Sequence, residues 1–470
     1  MLYALADFGS TFTKVALVES SSGRLLATAQ HRTTIESDVI EGWRQALREA
    51  LADCDAGAPD RALAASSAGG GLRMVAVGLV DDLTAAAARR TALSAGARVG
   101  AVFAGALGSR EAAAIRAERA DVILFAGGTD GGDRVRVLAN ARAVAQARSG
   151  AAIVVACNAD AAREAARAFV ETGHETVTVA NVLPEVHREA PEEARAAIRD
   201  LFIERVVQAK GMSAAAEFFQ SIVMPSPAAV LAGAELMADG SGAREGLGTV
   251  ALIDVGGATT DVHSIVRTAP AAGVVMHASP PAARASRTVE GDLGVRWNAD
   301  AVLAADRPWL EQHLGLPGHE LEAAIARRKA DPRLVPGNEL ELRIDRALAS
   351  SCMHVALARH VGRISTRYVP GEGAEVVLDG RDLRETRALV ITGGSLVRRP
   401  LEALEATTAA LGRLDPGCPA PRAARVLVDE RYVLAAAGLL ASEDPEAALA
   451  LLHAEIPGLT GLAPTRSMTP

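Results

Sequence analysis

Asp7-Phe8-Gly9-Ser10-Thr11-Phe12-Thr13-Lys14 and Asp254-Val255-Gly256-Gly257-Ala258-Thr259-Thr260-Asp261 are the two stretches that decide the fold. Each follows a short apolar run that predicts a buried strand, begins with an aspartate, and then turns on glycine and hydroxyl residues. Glycine lets backbone N–H groups come close to phosphate oxygens, and Ser or Thr adds further donors. An aspartate at a strand end can hold Mg²⁺ through water. The pair therefore predicts two β-hairpins that grip a polyphosphate in a nucleotide cleft.

A third stretch strengthens this prediction, because one Asp-x-Gly-Ser turn alone is more often an ordinary turn than a phosphate site. It reads Leu389-Val390-Ile391-Thr392-Gly393-Gly394-Ser395, a buried-strand pattern followed by a glycine turn and a predicted helix. Taken by itself, it is a plain strand-to-helix loop. The order of the three stretches favours a loop on the adenine side of a nucleotide.

The three stretches resemble the phosphate 1, phosphate 2 and adenosine motifs of the actin-like ATPase superfamily, which includes DnaK-type chaperones, sugar and acetate kinases, and actin. Residues 225–235 and 432–441 are rich in small side chains and resemble the two interlobe helices of that superfamily. Ala258 departs from the motif, because the chaperones usually have a third glycine there. The resemblance implies an α/β fold with two ribonuclease H-like lobes.

The resemblance also implies a role for each motif residue. Asp7 and Asp254 would organise Mg²⁺ and the attacking water, with Asp261 assisting. Lys14 would add a cation beside the phosphates, although an exposed strand residue is an equally weighted interpretation. Glu290 and Asp292 are further candidates near the nucleotide, with a solvated turn as the alternative. The residues that would bind ATP or ADP are Gly9, Ser10, Thr11, Lys14, Gly256, Gly257, Ala258, Thr259, Thr260, Gly393, Gly394 and Ser395.

A closer resemblance covers nearly the whole chain. It is carried by residues 33–39, 66–80, 124–132 and 288–294. These segments resemble the GlmL/MutL family, whose members accompany adenosylcobalamin-dependent glutamate (methylaspartate) mutase and are unrelated to the mismatch-repair proteins of similar name. The resemblance implies an accessory or reactivating chaperone for mutase subunits that is a slow Mg²⁺-dependent ATPase. A small-molecule kinase and an actin-like assembly protein of the same superfamily stay open as alternatives.

The 470 residues are enough for two or three domains. Residues 1–70 are predicted to form the first actin-like lobe, completed by about 221–245 and 426–455, and residues 246–425 the second. Between 71 and 220, short apolar runs alternate with alanine-rich helical stretches, which predicts an inserted α/β domain with a parallel sheet. This domain is our candidate for contact with the mutase.

One glycine-rich loop of the inserted domain, residues 127–133, contains two acids at a predicted strand end. Parallel sheets bind ligands at that edge, but a tight strand-to-helix turn is an equally weighted interpretation. Asn158 and Asn181 follow neighbouring strands in the same way. If these loops converge, they form the functional edge of the domain.

Composition excludes several classes of protein. A net charge of −8 and a sequence pI near 5.8 argue against nucleic-acid binding, and 3% aromatic residues leave few stacking platforms. The four scattered cysteines indicate neither a disulfide framework nor a zinc site. The absence of a basic leader and of a long apolar run predicts a cytoplasmic protein without a membrane partner. His354 and His360 lack the i, i+4 spacing of paired metal ligands. The sequence leaves open whether the chain forms a homodimer.

Overall fold

The computed structural model describes residues 1–9, 12–32, 39–54, 56–66, 72–186, 188–209, 222–242, 244–266, 274–276, 284–369, 373–394 and 396–462. Three predicted site residues, Ser10, Thr11 and Ser395, lie outside these ranges, as do most of residues 33–39 and residues 67–71. Strands and helices alternate along most of the described chain.

The strands are β1 (Leu2–Phe8), β2 (Phe12–Glu19), β3 (Arg24–Arg32), β4 (Arg61–Ser66), β5 (Arg73–Val77), β6 (Arg98–Phe103), β7 (Val122–Phe125), β8 (Ala152–Val155), β9 (Thr176–Thr178), β10 (Ile222–Pro225), β11 (Gly240–Ser241), β12 (Arg244–Glu245), β13 (Val250–Val255), β14 (Thr260–Ile265), β15 (Val274–Met276), β16 (Ala285–Glu290), β17 (Arg363–Val369), β18 (Gly373–Asp379), β19 (Ala388–Thr392) and β20 (Arg425–Val428).

The helices are α1 (Val39–Cys54), α2 (Ala86–Ser94), α3 (Ser109–Ala117), α4 (Arg134–Ala147), α5 (Ala159–Glu171), α6 (Glu192–Ala209), α7 (Ser226–Asp239), α8 (Ala299–Leu314), α9 (Gly318–Ala330), α10 (Glu339–His360), α11 (Pro400–Gly412), α12 (Val433–Leu440) and α13 (Pro445–Glu455). A short π-helical turn, Asp81–Ala85, precedes α2. None of the described helices is both long and apolar enough to cross a membrane.

Two mixed sheets share one topology. The first has the strand order β10-β4-β1-β2-β3, in which β1 is antiparallel to β2 and parallel to β4. The second has the order β20-β19-β13-β14-β16, in which β13 is antiparallel to β14 and parallel to β19. In both, a hairpin lies at the centre and two later strands extend the sheet on the side of the hairpin's first strand. This repetition confirms the predicted α/β fold with two actin-like lobes.

The first sheet is larger than the sequence pattern indicated. The apolar pattern of residues 2–54 predicts three strands and a covering helix, which the structure has as β1, β2, β3 and α1, but it misses the parallel strand β4. A fifth strand, β10, comes from residues far along the chain and pairs with β4. Periodicity within the opening segment does not report these two pairings, because strand pairing is a long-range property.

A third sheet is entirely parallel, in the order β6-β5-β7-β8-β9. This confirms the parallel sheet predicted for residues 71–220. Successive side chains of a strand point to opposite faces, so each strand contributes to two cores. On β7, Val122 and Leu124 join one core while Ile123 and Phe125 join the other. The first of these cores also contains side chains of β1 and α1.

The chain divides into two compact units. The first comprises Met1–Ser21, Leu25–Val230 and 278–283, and the second comprises Ser22–Arg24, 231–277 and 284–470. The first unit holds the first mixed sheet and the parallel sheet. The second unit holds the second mixed sheet and a small sheet of order β15-β18-β17. The finer domain boundaries remain a prediction.

Candidate functional site

The hairpin of β1 and β2, called here the first hairpin, closes on a tight four-residue turn. The N–H of Gly9 donates to the carbonyl of Phe12 at 3.1 Å. A Cβ added to Gly9 would lie 2.7 Å from that same carbonyl oxygen, closer than real Cβ contacts allow. The turn therefore requires glycine at position 9, two residues after Asp7.

The second hairpin, formed by β13 and β14, closes in the same way. The N–H of Gly256 donates to the carbonyl of Thr259 at 2.9 Å, and a Cβ on Gly256 would come within 2.9 Å of that oxygen. Asp254 again stands two residues before the glycine. The sequence predicted both hairpins from these positions, and in both a glycine N–H donates to the carbonyl three residues later.

Asp7 lies at the end of β1 with two polar neighbours. Lys14, its register partner on β2, has its Nζ 4.0 Å from an Asp7 carboxylate oxygen. Ser226, the first residue of α7, donates its hydroxyl to the other carboxylate oxygen. Sequence reasoning noted Ser226 only as part of a helix, and its one signal was a hydroxyl residue directly after a strand. The aspartate is thus held between a cation and a helix start.

The loop of the second hairpin is supported from one side by residues 294–298. The carbonyl of Gly257 accepts from the N–H groups of Arg296 and Trp297, both at 2.9 Å. The side-chain amide of Asn298 donates to the carbonyl of Ala258 at 2.7 Å. These bonds turn the loop carbonyls towards the protein, so that the opposite side of the loop presents its amide groups.

Three consecutive amides of this loop have no acceptor within the part of the chain that the structure describes. They belong to Gly257, Ala258 and Thr259, which are part-exposed residues and whose N–H groups donate neither to a carbonyl nor to a side chain there. Backbone amide groups left without a partner are satisfied by water or by a ligand, and several in succession form an anion site. The donor set fits phosphate oxygens.

Gly257 supports this interpretation. A Cβ at Gly257 would meet only the Arg296 side chain at 3.5 Å and Trp297 at 3.9 Å, which are ordinary van der Waals distances. Its φ also lies outside the left-handed region. Internal packing therefore does not require glycine at position 257, whereas close approach of an external group would. Ala258 has no positive φ either, so its methyl group is accommodated without backbone strain.

The predicted adenosine loop lies against the second hairpin. Thr392 pairs with Asp254 in the parallel register of β19 and β13. Gly393 follows with φ +106°, and a Cβ there would lie 2.3 Å from the carbonyl oxygen of Val255 and 2.7 Å from a carboxylate oxygen of Asp254. A Cβ on Gly394 would lie 3.3 Å from the hydroxyl oxygen of Tyr432. The loop and Asp254 thus belong to one site.

Tyr432 is a member of this site that sequence reasoning placed only in a helix. Burial and, second, the negative charge of Asp254 raise the pKa of its phenol. Tyr432 has φ +56° and stands directly before α12. The carboxylate of the buried Asp429 accepts from the first amide groups of this helix, from Val433 N–H at 2.8 Å and from Leu434 N–H at 3.2 Å. A carboxylate already occupies that helix N-terminus, so it is not a second phosphate site.

Two other predicted residues of the second hairpin face inwards. Asp261 is the register partner of Asp254, and its carboxylate binds the guanidinium of Arg287 at 2.7 Å in a buried ion pair. The hydroxyl of the buried Thr260 donates to the carbonyl of Leu293 at 2.8 Å. Both side chains bind other parts of the protein, which fits a role in holding the second hairpin in place.

Glu290 and Asp292 share one arginine. Arg359 Nη1 lies 2.6 Å from a Glu290 carboxylate oxygen and 3.0 Å from one of Asp292. His360, the next residue, is buried, with its ring nitrogens 2.8 Å from the Ser264 hydroxyl and 2.9 Å from the Thr288 hydroxyl. Burial, with help from nearby positive charge, holds its pKa well below the ordinary value.

The glycine-rich loop 127–133 makes the strand-to-helix turn that was one of its two interpretations. Asp133 caps α4 by accepting from the N–H of Arg136 at 3.0 Å. Asp130 accepts from the N–H of Ala159 at the start of α5 at 2.9 Å. Across the described ranges, no group of three or more His, Cys, Asp or Glu side chains is arranged to hold a metal ion. A hydrated Mg²⁺ bound through Asp7 or Asp254 and phosphate oxygens needs no such group.

Comparison with known proteins identifies the relatives of this chain. A family model described as "MutL protein" matches residues 3–456. Protein MutL of Clostridium tetanomorphum is 38% identical over 455 residues, which is 96% of this chain and 98% of that protein.

Similarities to solved structures are weak. A glycerol dehydratase reactivase aligns with a TM-score of 0.36 and 14% identity over 94% of this chain and 99% of that one. The activator of the 2-hydroxyisocaproyl-CoA dehydratase from Clostridium difficile, with bound ADPNP, aligns with a TM-score of 0.33 and 9% identity over 95% and 96%. At these TM-scores, neither similarity supports a functional conclusion.

Proposed function

The chain belongs to the MutL protein family, and from that premise we propose that it is an ATP-binding, ATP-hydrolysing accessory protein that reactivates an adenosylcobalamin-dependent mutase of the glutamate mutase type. The partner and the substrate rest on the family resemblance. One observation carries the nucleotide part of the proposal: the amide groups of Gly257, Ala258 and Thr259, on a loop whose carbonyls are bonded away from them.

The roles of the other residues follow from their chemistry. We assign Gly9 and the loop of the second hairpin to phosphate oxygens, and Lys14 to a positive charge beside them. Asp7 and Asp254 would hold Mg²⁺ through water, and Asp254 would orient the attacking water. When bound, Mg²⁺ neutralises charge on the phosphate oxygens. The Gly393–Gly394 loop and Tyr432 lie beside the adenosine.

Reactivation requires that the nucleotide state changes the affinity for the mutase. Moving a population from mostly one state to mostly the other takes a difference of about 5.5 kcal/mol in binding free energy between the two states. In this proposal the chain holds the mutase in one nucleotide state, so that a damaged cofactor can leave, and releases it in the other. Hydrolysis supplies the direction of the cycle.

Calorimetry of the purified chain with ATP, ADP and Mg²⁺ tests the nucleotide site. The variant Gly257→Ala is expected to keep the fold, because its Cβ has room, and to weaken ATP binding at least tenfold by blocking close approach of the phosphate. Gly291→Ala is the matched control, since a Cβ there meets nothing within 4 Å. Undiminished ATP binding by Gly257→Ala would remove this loop from the nucleotide site.

The mutase part needs a separate assay. Purified glutamate mutase inactivated by turnover is incubated with the chain, ATP and fresh adenosylcobalamin, and its activity is measured. Recovery that depends on ATP, with faster ATP hydrolysis in the presence of the mutase, supports the reactivase. Phosphorylation of a metabolite without any effect on the mutase would support the kinase alternative, and ATP-dependent light scattering by the chain alone would support filament assembly.

A further inference from the structure

Four of the five loops that follow the strands of the parallel sheet, those after β5, β7, β8 and β9, meet at its carboxyl edge. Loop 127–133, which follows β7, lies at their centre. The carbonyl of Gly127 accepts from the N–H of Asn158 after β8 at 3.0 Å, and the N–H of Asp130 donates to the carbonyl of Pro184 after β9 at 3.0 Å. A Cβ on Gly127 would lie 3.5 Å from the backbone nitrogen of Leu79 after β5. The four loops therefore form one surface, called here the carboxyl edge.

This edge is closed to a small anionic ligand. The carboxylates of Asp133 and Asp130 already bind the first amide groups of α4 and α5. In the β5 loop, Thr84 Oγ1 accepts from the N–H groups of Leu79 and Val80 at 2.7 and 2.9 Å. A Cβ on Gly78 would lie only 2.2 Å from the backbone nitrogen of Ala85, so that turn is filled by backbone. The edge has the character of a surface and not of a pocket.

Three exposed apolar side chains lie close in sequence to the residues of this edge. Val80, Val135 and Val186 are 50%, 78% and 40% exposed. Val80 follows Leu79 in the β5 loop, Val135 lies in the first turn of α4, and Val186 lies two residues beyond Pro184. Val135 thus follows loop 127–133 by two residues, while Val80 and Val186 lie one and two residues from the contacts that this loop makes with Leu79 and Pro184. Grouped exposed apolar residues with a polar rim are typical of protein interaction sites.

The rim of the carboxyl edge is acidic. Its exposed carboxylates belong to Asp81, Asp82, Asp130, Asp133, Asp160 and Glu185. Three arginines that follow loops 127–133 and 179–186 are paired with carboxylates: Arg134 with Glu164, Arg136 with Asp133, and Arg188 with Glu185. No Lys or Arg side chain elsewhere in the described chain forms an ion pair with Asp81, Asp82, Asp130 or Asp160. The surface thus presents apolar side chains together with four carboxylates that have no ion pair in the described chain.

We infer that the carboxyl edge docks a protein partner whose surface presents apolar side chains surrounded by Lys and Arg. The inference rests on the proposed function, under which that partner is a subunit of the mutase. Opposite charge on the two surfaces speeds association and rejects acidic proteins. Burial of the three valines then stabilises the complex. The edge is separate from the two hairpins in sequence, so its substitution leaves the nucleotide residues intact.

Two substitutions test the apolar part of the edge. Val135→Asp and Val80→Asp put a carboxylate into the contact, and both positions are near helix starts, where an added negative charge does not disturb the fold. Val170→Asp is the matched control, because Val170 is 60% exposed but lies in the last turn of α5, at the opposite edge of the sheet. Binding of each full-length variant to purified glutamate mutase is measured by biolayer interferometry, with circular dichroism and ATP calorimetry alongside.

A neutralising pair tests the acidic rim. Asp81→Asn with Asp82→Asn is expected to lower the association rate and to weaken its dependence on salt. Glu171→Gln, an exposed acid on the last turn of α5, is the control and should change neither. For the apolar substitutions we expect at least a tenfold rise in Kd with Val135→Asp and Val80→Asp, and less than a twofold change with Val170→Asp.

The outcomes separate this inference from the proposed function. If the unaltered chain binds the mutase and Val135→Asp and Val80→Asp bind equally well, the docking edge is wrong while the proposed function stands. Equal losses with Val170→Asp would also overturn it, because the effect would not belong to this edge. If the unaltered chain binds no mutase, both ideas fail, whatever the calorimetry shows for ATP.

Discussion

Gly393 offers the sharpest test of how the adenosine loop and Asp254 are built together. Its φ of +106° is one that L side chains rarely adopt, and a Cβ would lie 2.3 Å from the carbonyl oxygen and 2.6 Å from the nitrogen of Val255. The strained φ costs about 1–3 kcal/mol, and relief of the overlap by backbone movement costs about 1–3 kcal/mol more. We therefore expect Gly393→Ala to destabilise the chain by roughly 2–6 kcal/mol.

Thermal unfolding followed by circular dichroism measures this loss, and about 2–4 °C per kcal/mol is expected for a unit of this size. The midpoint should fall by at least about 4 °C. Gly412→Ala is a control of opposite sign, because Gly412 ends α11 with nothing within 4 Å of an added Cβ, and alanine there should stabilise by about 0.5–1 kcal/mol. An unchanged midpoint for Gly393→Ala would refute the contact between this loop and β13.

Four further predictions concern single side chains. Asp254→Asn should lower ATP hydrolysis at least about 100-fold with an unchanged circular dichroism spectrum; normal turnover would remove Asp254 from the mechanism. Asp261→Asn leaves Arg287 buried without its carboxylate and should destabilise by about 3–5 kcal/mol in urea unfolding, whereas a loss of activity at full stability would point to direct catalysis. Burial holds the pKa of His360 well below its ordinary value, so the folded chain keeps this imidazole neutral while the unfolded chain takes up a proton. Stability should therefore be lost as pH falls below about 6.5, by up to about 1.4 kcal/mol per pH unit, and His360→Gln should reduce that slope. Trp297 is 57% exposed beside the Gly257 loop, so ATP should change the intrinsic fluorescence, and Trp297→Phe should abolish that change.

The sequence predicted the strands, helix ends and turns that depend on residues adjacent in the chain. The continuous apolar run Val122–Phe125 predicts a strand with the bounds of β7. The prolines at 332 and 336 predict a break in the helical stretch 320–363, which the structure has between α9 and α10. The two hairpin turns were predicted because an aspartate and a glycine at fixed spacing reflect a backbone requirement. Such features depend on neighbours along the chain, and these neighbours are visible in the sequence.

Contacts between distant segments could not be predicted in this way. Ser226 donates to Asp7, and Tyr432 reaches Gly394, across more than 30 residues in each case. Asp261 was a candidate for catalysis because it ends a motif, yet its buried partner Arg287 belongs to another strand. A sequence motif shows which residue types recur but does not show which of them are already neutralised by the fold.

The two hairpins differ in the residue that pairs with the motif aspartate on the second strand. Lys14 and Asp261 are both seven residues after the motif aspartate and both pair with it in register. In the first hairpin this position holds a part-exposed cation 4.0 Å from the Asp7 carboxylate, whereas in the second it holds a carboxylate bound to Arg287. A repeated lobe that bound phosphate symmetrically would need the same charge at both positions. Under the proposed function, the opposite charges imply a division of roles: the first hairpin would contribute positive charge, and the second would contribute the amide groups of Gly257, Ala258 and Thr259.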